Sequence, residues 1–437
     1  MKNHLSLHFL FILLIILGGV TFGYNISVIA SALPKIKTEF SASDHTLSLI
    51  AGLVFAGTTF AKIFIGILND HFGRKKAFML SSVLFFAGSF AITFSQSINY
   101  ILIGRTLQGM GGGLMMFTMP LYIVENANEK NRGHFMGLYQ LSFTIGLLGA
   151  NLVGMWVFNF NWKINFLILI GLTLAFILIL SKLPCSSRWL FKKGQLDLAK
   201  LALSIDHSSD ESKALLDKWN HSHELLDQAS VFNKAYLIPL LIVVIITCLH
   251  QLTGINAILQ ASTVLVGQIG ISSHNALLIS SFITLINVIA TIIGLKIIDR
   301  FARNKLLAFC ALGIAIFHTI TALGFYTNSH GLLTLGLLGF IFFYAIGPGI
   351  IIWLVFSEYL PMTIRANGLA IAGFINSLAG FIISSLFLES CEKFGYFWVF
   401  ISLAIFSLFY AIIPLYFLPN ANGRELEDVS KLFKSKS

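Results

Sequence analysis

Residues 66–76 read GILNDHFGRKK, and residues 299–305 read DRFARNK. In each stretch an aspartate stands four residues before an arginine, and further basic residues lie close by. The four positions are Asp70 and Arg74 in the first copy and Asp299 and Arg303 in the second. The same residues at the same spacing in two parts of a chain indicate a duplicated fold.

A second pair of charged residues supports the duplication. Glu125 precedes Arg132 by seven residues, and Glu358 precedes Arg365 by the same spacing. Both motifs recur about 230 residues further along the chain, so a single duplication accounts for both.

The composition places both copies in a membrane. Apolar residues make up 56% of the chain and charged residues only 11%, which leaves too little polar surface to cover a soluble particle of 437 residues. Apolar stretches long enough to cross a hydrocarbon core about 30 Å thick recur from one end to the other. The twelve predicted spans are 7–33, 45–69, 77–97, 99–125, 134–158, 163–183, 236–267, 275–298, 305–327, 331–357, 366–388 and 395–418.

The basic residues predict the orientation in the membrane. Most of the 29 lysines and arginines fall in the two tails and in the loops after even-numbered spans, so the net charge of +10 reports topology and not nucleic-acid binding. Basic loops stay in the cytoplasm, which predicts a multi-pass plasma membrane protein with both termini cytoplasmic. The short loops favour a bacterial inner membrane.

The one long polar segment divides the spans six and six. The predicted fold is an all-α membrane protein with six-helix bundles over 1–183 and 236–418, a cytoplasmic linker over 184–235 and a tail over 419–437. Short amphipathic helices are predicted in the linker at Gln195–Leu203 and Glu211–Trp219. Parallel duplicated halves are the plan of the major facilitator fold, in which substrate binds near the midplane between them.

Polar side chains recur inside the spans, where each costs free energy unless it faces a partner or a water-filled cavity. Span 7 carries His250, Gln251 and Asn256 around Gly254, and a helix break at that glycine would turn Asn256 toward Gln251. Other polar residues form stripes or follow a Gly-Pro-Gly turn. They are Gln140, Thr144 and Asn151 in span 5, Ser280, Thr284, Asn287 and Thr291 in span 8, Trp353 in span 10, and Asn376 in span 11.

This set consists of amides, hydroxyls and an indole with almost no charge. Amides both donate to and accept from hydroxyls, and an indole stacks on the C–H face of a sugar, so the set favours a neutral polyhydroxylated ligand. Hydrogen bonding between helices is the alternative explanation for each amide taken singly.

Nine charged residues are expected at cytoplasmic helix ends. They are Asp70, Arg74, Glu125, Arg132, Arg188, Asp299, Arg303, Glu358 and Arg365. Opposite charges there can pair across the halves when this mouth is closed, and exposed pairs worth about 0 to 1 kcal/mol can break again when it opens. Solvated loop charge that merely sets the topology is the alternative.

The chain resembles the sugar porters of the major facilitator superfamily, which include bacterial xylose–proton symporters and mammalian facilitative glucose transporters. The resemblance covers nearly the whole chain and rests on short motifs in a fixed order. They are Phe22 to Asn25, Gly66 to Lys75, Gly104-Arg105, Pro120-x-Tyr122-x-x-Glu125, Arg132-Gly133, Gln140, Arg188 to Leu190, His250-Gln251-x-x-Gly254 to Ala257, Gly347-Pro348-Gly349, Trp353, Glu358, Arg365 and Gly423-Arg424.

The resemblance implies transport of a monosaccharide, a hexose such as glucose or a pentose, by alternating access. It implies that sugar hydroxyls bind to amides, that an indole lines the cavity, and that a histidine replaces the first of two glutamines. The indole is that of Trp353, and the histidine is His250. The amides are those of Gln140, Gln251, Asn256, Asn287 and Asn376. The family's Pro-Glu-Ser-Pro-Arg run is Pro-Cys-Ser-Ser-Arg at 184–188, and its paired tyrosines are replaced by Gln260 and Ala261.

The coupling mode follows from one substitution. Proton symporters of this family resemble one another in having an aspartate where this chain has Asn25. That aspartate takes up a proton and exchanges it against the arginine that corresponds to Arg105. Because an asparagine cannot titrate, we expect facilitated diffusion. A proton symporter that uses His250 is the alternative, since the unperturbed pKa of histidine lies near 6.5.

Other classes of protein stay open at this point. An exporter of another small molecule on the same fold would not need the amides, and a receptor would bind sugar without moving it. An enzyme is not expected, because no nucleophile elbow, metal-ligand cluster or phosphate-binding loop is present in the sequence. The expected partners are a monosaccharide and the lipid bilayer, with no nucleic acid, cofactor or metal and a single chain as the working unit.

Overall fold

The computed structural model describes residues 2–157, 161–221, 234–298, 300–360 and 364–418, with side chains for all of them except 2–6, 221, 234–236, 353, 354, 356–358, 365 and 366. Helices account for nearly all of these ranges. They are α1 (Lys2–Glu39), α2 (Asp44–Phe72), α3 (Arg74–Thr93), α4 (Ile98–Asn126), α5 (Glu129–Val157), α6 (Ile164–Lys182), α7 (Ser187–Lys192), α8 (Leu196–Leu203), α9 (Ser209–His221), α10 (Lys234–Leu252), α11 (Ile255–Gly267), α12 (Ser273–Ile297), α13 (Arg303–Tyr326), α14 (His330–Ile346), α15 (Pro348–Glu358), α16 (Arg365–Phe394) and α17 (Tyr396–Phe417).

Twelve apolar stretches in the described part of the chain are long enough to span a membrane, as predicted. Two of them contain a break, between α10 and α11 and between α14 and α15. The predicted limits err most at the polar ends of helices. The first helix runs through Pro34 to Glu39, where Lys37 Nζ lies 2.6 Å from Asp44 Oδ1, while hydropathy alone ends near residue 33.

Contacts divide the chain into two compact units. Unit 1 comprises Met1–Ile26, Gly57–Leu147 and Lys163–Leu226, and unit 2 comprises Ser27–Ala56, Leu148–Trp162 and Asp227–Ser437. These units cut across α1, α2 and α5, so they do not follow the repeat. The division into bundles at 1–183 and 236–418 stays a prediction.

The core of unit 1 is aromatic. Phe78 lies between Tyr122 and Phe176, with ring centroids 5.7 and 5.5 Å away, and all three side chains are fully buried. Gly111 lets α4 approach α3 closely, because a Cβ there would lie 2.8 Å from the carbonyl oxygen of Ser81. Helices α1, α3, α4 and α6 therefore pack as one bundle.

In unit 2 the first part of α2 packs against α16. The Leu388 amide donates to Ser48 Oγ at 2.9 Å, and His45 Nδ1 lies 2.6 Å from Glu389 Oε2. A Cβ on Gly52 would lie 1.9 Å from Ser385 Oγ, so only a glycine permits this approach. These contacts explain why the first part of α2 belongs to unit 2.

Residues 184–221, the described part of the linker, are helical as predicted and contain one helix more than the two expected. Its helices α7, α8 and α9 share a small apolar core around Leu190, Leu203 and Leu216. Helix α9 begins with a capping box, in which the Ser208 amide and hydroxyl donate to Glu211 and lower the pKa of that carboxyl. Within unit 1, Asp206 accepts the backbone amide of Asn128 at 2.7 Å and so fixes the linker to the α4–α5 turn.

Candidate substrate-binding site

The break between α10 and α11 builds the centre of the site. Gly254 has φ +75°, a left-handed conformation that a glycine adopts without strain. The break frees the carbonyl of Thr253 from the helix ladder, and His318 Nε2 on α13 donates to it at 3.0 Å. This buried histidine therefore stabilises the break.

Three amides meet around this break and form a directed chain of hydrogen bonds. Asn256 Nδ2 donates to Gln251 Oε1 at 2.8 Å, and Gln251 Nε2 donates to Asn376 Oδ1 at 3.0 Å. Asn376 Nδ2 in turn donates to the Thr247 carbonyl at 3.1 Å. The predicted turn of Asn256 toward Gln251 is present, and the chain joins α10, α11 and α16. We call Gln251, Asn256 and Asn376 the amide relay.

The relay retains hydrogen-bonding capacity. Each amide has two N–H donors and two lone pairs on its oxygen, and the relay bonds use one donor of each side chain. Gln251 and Asn376 are 5% and 6% exposed, whereas Asn256 is half-buried. Each relay amide therefore keeps one N–H donor outside the relay bonds.

His250 lies beside the relay on α10 and is 6% exposed. Its Nε2 atom lies 2.8 Å from the hydroxyl of Tyr344 on α14, and the two rings are 5.4 Å apart. Sequence reasoning missed Tyr344, because an aromatic residue in an apolar span is typical of packing.

Asn287 is 4% exposed on α12, and its Oδ1 atom accepts from Thr291 Oγ1 at 3.4 Å. The rest of the polar stripe on this helix has a different role. Thr284 Oγ1 accepts from Asn151 Nδ2 at 3.3 Å, and Ser280 Oγ lies 3.2 Å from Thr263 Oγ1. Hydrogen bonding between helices therefore accounts for that part of the stripe.

Unit 1 holds the remaining candidates inside the membrane. Gln140 is half-buried on α5. Arg105 and Asn25 are fully buried and meet as expected, but through the backbone, because Arg105 Nη1 donates to the Asn25 carbonyl at 3.1 Å and to Gln108 Oε1 at 3.0 Å. Neither polar atom of the Asn25 side chain has a hydrogen-bond partner among the described residues.

The charged residues at the helix ends of unit 1 pair in part. Arg74 Nη2 lies 2.6 Å from Glu125 Oε1, and Arg74 Nη1 lies 3.6 Å from Asp70 Oδ1. Arg132 Nη1 approaches Glu129, at 4.0 Å, although the repeated spacing had singled out Glu125. Arg188 is exposed.

Arg303, in unit 2, is half-buried at the start of α13. The other predicted members cannot be placed. Asp299 and the side chains of Trp353, Glu358 and Arg365 lie outside the described residues.

Comparisons with known proteins agree on the type of protein. The sequence model of the family described as "Sugar (and other) transporter" matches residues 11–433. The chain is 28% identical to the galactose-proton symporter of Escherichia coli K12 over 454 residues, which cover 98% of this chain and 95% of that relative. It is 27% identical to the glucose transporter GlcP of Staphylococcus epidermidis, with 94% of each chain covered.

A solved structure shows the same fold. The partially occluded inward-open conformation of the xylose transporter XylE from E. coli matches with a TM-score of 0.85 at 23% sequence identity, covering 96% of this chain and all of that one. The twelve-helix major facilitator prediction is thereby confirmed.

Proposed function

The chain belongs to the sugar transporter family of membrane proteins, and from that premise we propose that it carries a monosaccharide, a hexose such as glucose or a pentose, by alternating access. Named relatives act on galactose and glucose, and the solved structure that it resembles is a xylose transporter. The proposal takes the substrate class from these relatives and the binding residues from this chain.

The amide relay is the observation that carries the proposal. It presents both donors and acceptors, it carries no charge, and it is held by bonds to three different helices. Neutral groups that both donate and accept match a polyol, because each sugar hydroxyl can do both as well. Gln140, Asn287 and Trp353 are further proposed sugar ligands.

The helix breaks supply the mobility that transport needs. The relay straddles the Gly254 break, and Gly347 separates the end of α14 at Ile346 from the start of α15 at Pro348. Broken helices at membrane depth are a recurrent feature of transporter binding sites, and hinges form where a few residues absorb a change in backbone angles. We propose that both breaks bend as the sugar site changes its access.

The transport mode that we propose is facilitated diffusion. Asn25 carries an amide beside Arg105, where a proton-coupled carrier needs a group that gains and loses a proton. Proton symport through His250 is the second candidate, and two observations favour it. One named relative is a proton symporter, and the Nδ1 atom of His250 is buried with no hydrogen-bond partner among the described residues.

The proposed orientation follows the basic loops, with both termini in the cytoplasm of a bacterial cell. Asp70, Arg74 and Glu125 then lie at the cytoplasmic mouth. We propose that these charges, with Arg132, Arg188, Asp299, Arg303, Glu358 and Arg365, hold that mouth closed in one state and separate in the other.

Uptake of labelled glucose into proteoliposomes tests the substrate assignment, with xylose, galactose and fructose as competitors. We expect saturable uptake that at least one of these sugars inhibits. The absence of both uptake and competition contradicts the sugar assignment and favours an exporter of another small molecule. Saturable binding without uptake into the vesicles indicates a receptor.

A further inference from the structure

Two tyrosine rings lie against the ring of His250. The Tyr344 ring lies 5.4 Å away at a tilt of 39°, and the Tyr410 ring lies 6.4 Å away, edge to face. Only one of the two hydroxyls bonds to the imidazole. Tyr344 Oη lies 2.8 Å from Nε2, whereas the Tyr410 hydroxyl is buried with no hydrogen-bond partner among the described residues.

The hydrogen bond to Tyr344 fixes the tautomer of His250. A neutral imidazole carries one proton, and the nitrogen that accepts a hydrogen bond is the one without it. In a membrane interior, leaving a phenol O–H without an acceptor costs more free energy than leaving its oxygen lone pairs without a donor. The Tyr344 hydroxyl therefore donates to Nε2. The proton then lies on Nδ1, the buried atom that has no partner in the described chain.

The second helix break fixes Tyr344 in turn. Gly349 lies directly after Pro348, and a Cβ on it would lie 3.2 Å from the Tyr344 ring. The missing side chain leaves room for this ring two residues before the end of α14. The Gly-Pro-Gly turn, His250 and the amide relay are therefore connected through Tyr344.

We propose that Tyr344 is a positioning residue that sets substrate specificity. Its hydroxyl holds His250 so that Nδ1–H is presented as a single donor to one hydroxyl of the bound sugar. The inference rests on the proposed function, since it requires a sugar next to the relay. Tyr344 is thus a specificity determinant that goes with His250, and a glutamine at position 250 would not need such a positioning residue.

Monodeoxy analogues of glucose test the proposal, as competitors of labelled glucose uptake in proteoliposomes. Each analogue lacks one hydroxyl, so the analogue that lacks the partner of His250 binds about tenfold more weakly than glucose in the wild-type protein. In Tyr344→Phe this discrimination falls to about twofold, because the imidazole can rotate and exchange tautomers. The other analogues keep their order.

Tyr410→Phe is the matched control. It removes a hydroxyl from the other ring that contacts His250, without removing a bond to the imidazole. It should leave the tenfold discrimination unchanged. Loss of discrimination in both variants, or in neither, overturns the assignment to the Tyr344 hydroxyl.

A double variant separates positioning from packing. His250→Leu removes the imidazole donor and should abolish discrimination at the same hydroxyl, and adding Tyr344→Phe should then change nothing further, because Tyr344 acts through His250. Independent effects that multiply in the double variant overturn the proposal and leave sugar transport standing. A wild-type protein that takes up no sugar overturns the proposed function and this inference together.

Discussion

In unit 2 the three relay amides form a chain of hydrogen bonds that ends on a backbone carbonyl. In unit 1, by contrast, the Asn25 amide is buried, and neither of its polar atoms has a partner among the described residues. Its neighbour Arg105 bonds to the backbone of Asn25 and to Gln108, and so does not use that amide. Both sites lie inside membrane helices, where unpaired polar groups cost free energy.

The difference separates two roles for the same side chain. The relay is satisfied before a ligand arrives and has spare capacity, which suits a site that binds and releases a neutral molecule. The side chain of Asn25 adds nothing to the bonds that hold Arg105, and its amide cannot gain or lose a proton. We infer that substrate binding in this chain belongs to the relay, and that the Asn25 position has lost a coupling role without gaining a structural one.

The largest effect is expected at the centre of the relay. Gln251→Ala removes the side chain that bonds to both Asn256 and Asn376, and the sugar loses a ligand while two amides lose a partner. Sugar uptake should fall about 100-fold. Gln268→Ala, an exposed amide after α11, is the control and should transport normally. Unimpaired uptake by Gln251→Ala removes the relay from the binding site.

In unit 1 the main effect should be on stability. Arg105→Ala leaves the Asn25 carbonyl and Gln108 without the guanidinium that bonds to them, and should lower the free energy of unfolding by about 2 kcal/mol. An SDS unfolding titration measures the loss, with exposed Arg188→Ala as the unaffected control. If Arg105→Ala is as stable as the wild type, the buried guanidinium is not a structural element of unit 1.

Asn25→Asp sharpens the comparison by restoring a group that titrates. A carboxyl beside Arg105 can exchange a proton, so an inward gradient of one pH unit should drive accumulation of sugar up to about tenfold. Accumulation ratios in proteoliposomes report the result, and Asn25→Ser is the control that cannot titrate. A variant that only equilibrates sugar shows that the aspartate alone does not create coupling.

The smallest effect is expected at the edge of the unit 2 site. Thr291→Val removes the long 3.4 Å bond to Asn287 and should change the half-saturating sugar concentration less than twofold. Asn287→Ala should raise it about tenfold if this amide is a sugar ligand. Equal effects of the two substitutions contradict that role.

Much of this site could be predicted from the sequence. Gly254 and the amides at fixed offsets from it predicted that Asn256 turns toward Gln251, since a helix break acts locally, and the structure adds the bond between them. The depth of Arg105 and Asn25 in their spans predicted that they meet, but not that the bond uses the backbone. The Arg74–Glu125 pair joins two charged positions that the repeat had marked.

The rest depends on contacts between distant elements. Tyr344 looks like any aromatic residue of an apolar span until α10 brings His250 to it. Hydropathy reports that α2 is buried but not which helices cover it, so the close approach of Gly52 to Ser385 on α16 could not be foreseen. A repeat in the sequence likewise does not say where contacts divide the folded chain.

We propose that this protein carries sugar without a coupled proton. Wild-type protein in proteoliposomes should be given labelled glucose with and without an inward gradient of one pH unit, and the internal concentration followed to a plateau. We predict an internal-to-external ratio of about one in both conditions, because no driving force acts on a facilitator beyond the sugar gradient. A ratio that rises toward about tenfold with the gradient contradicts facilitated diffusion and assigns proton coupling to a group other than Asn25.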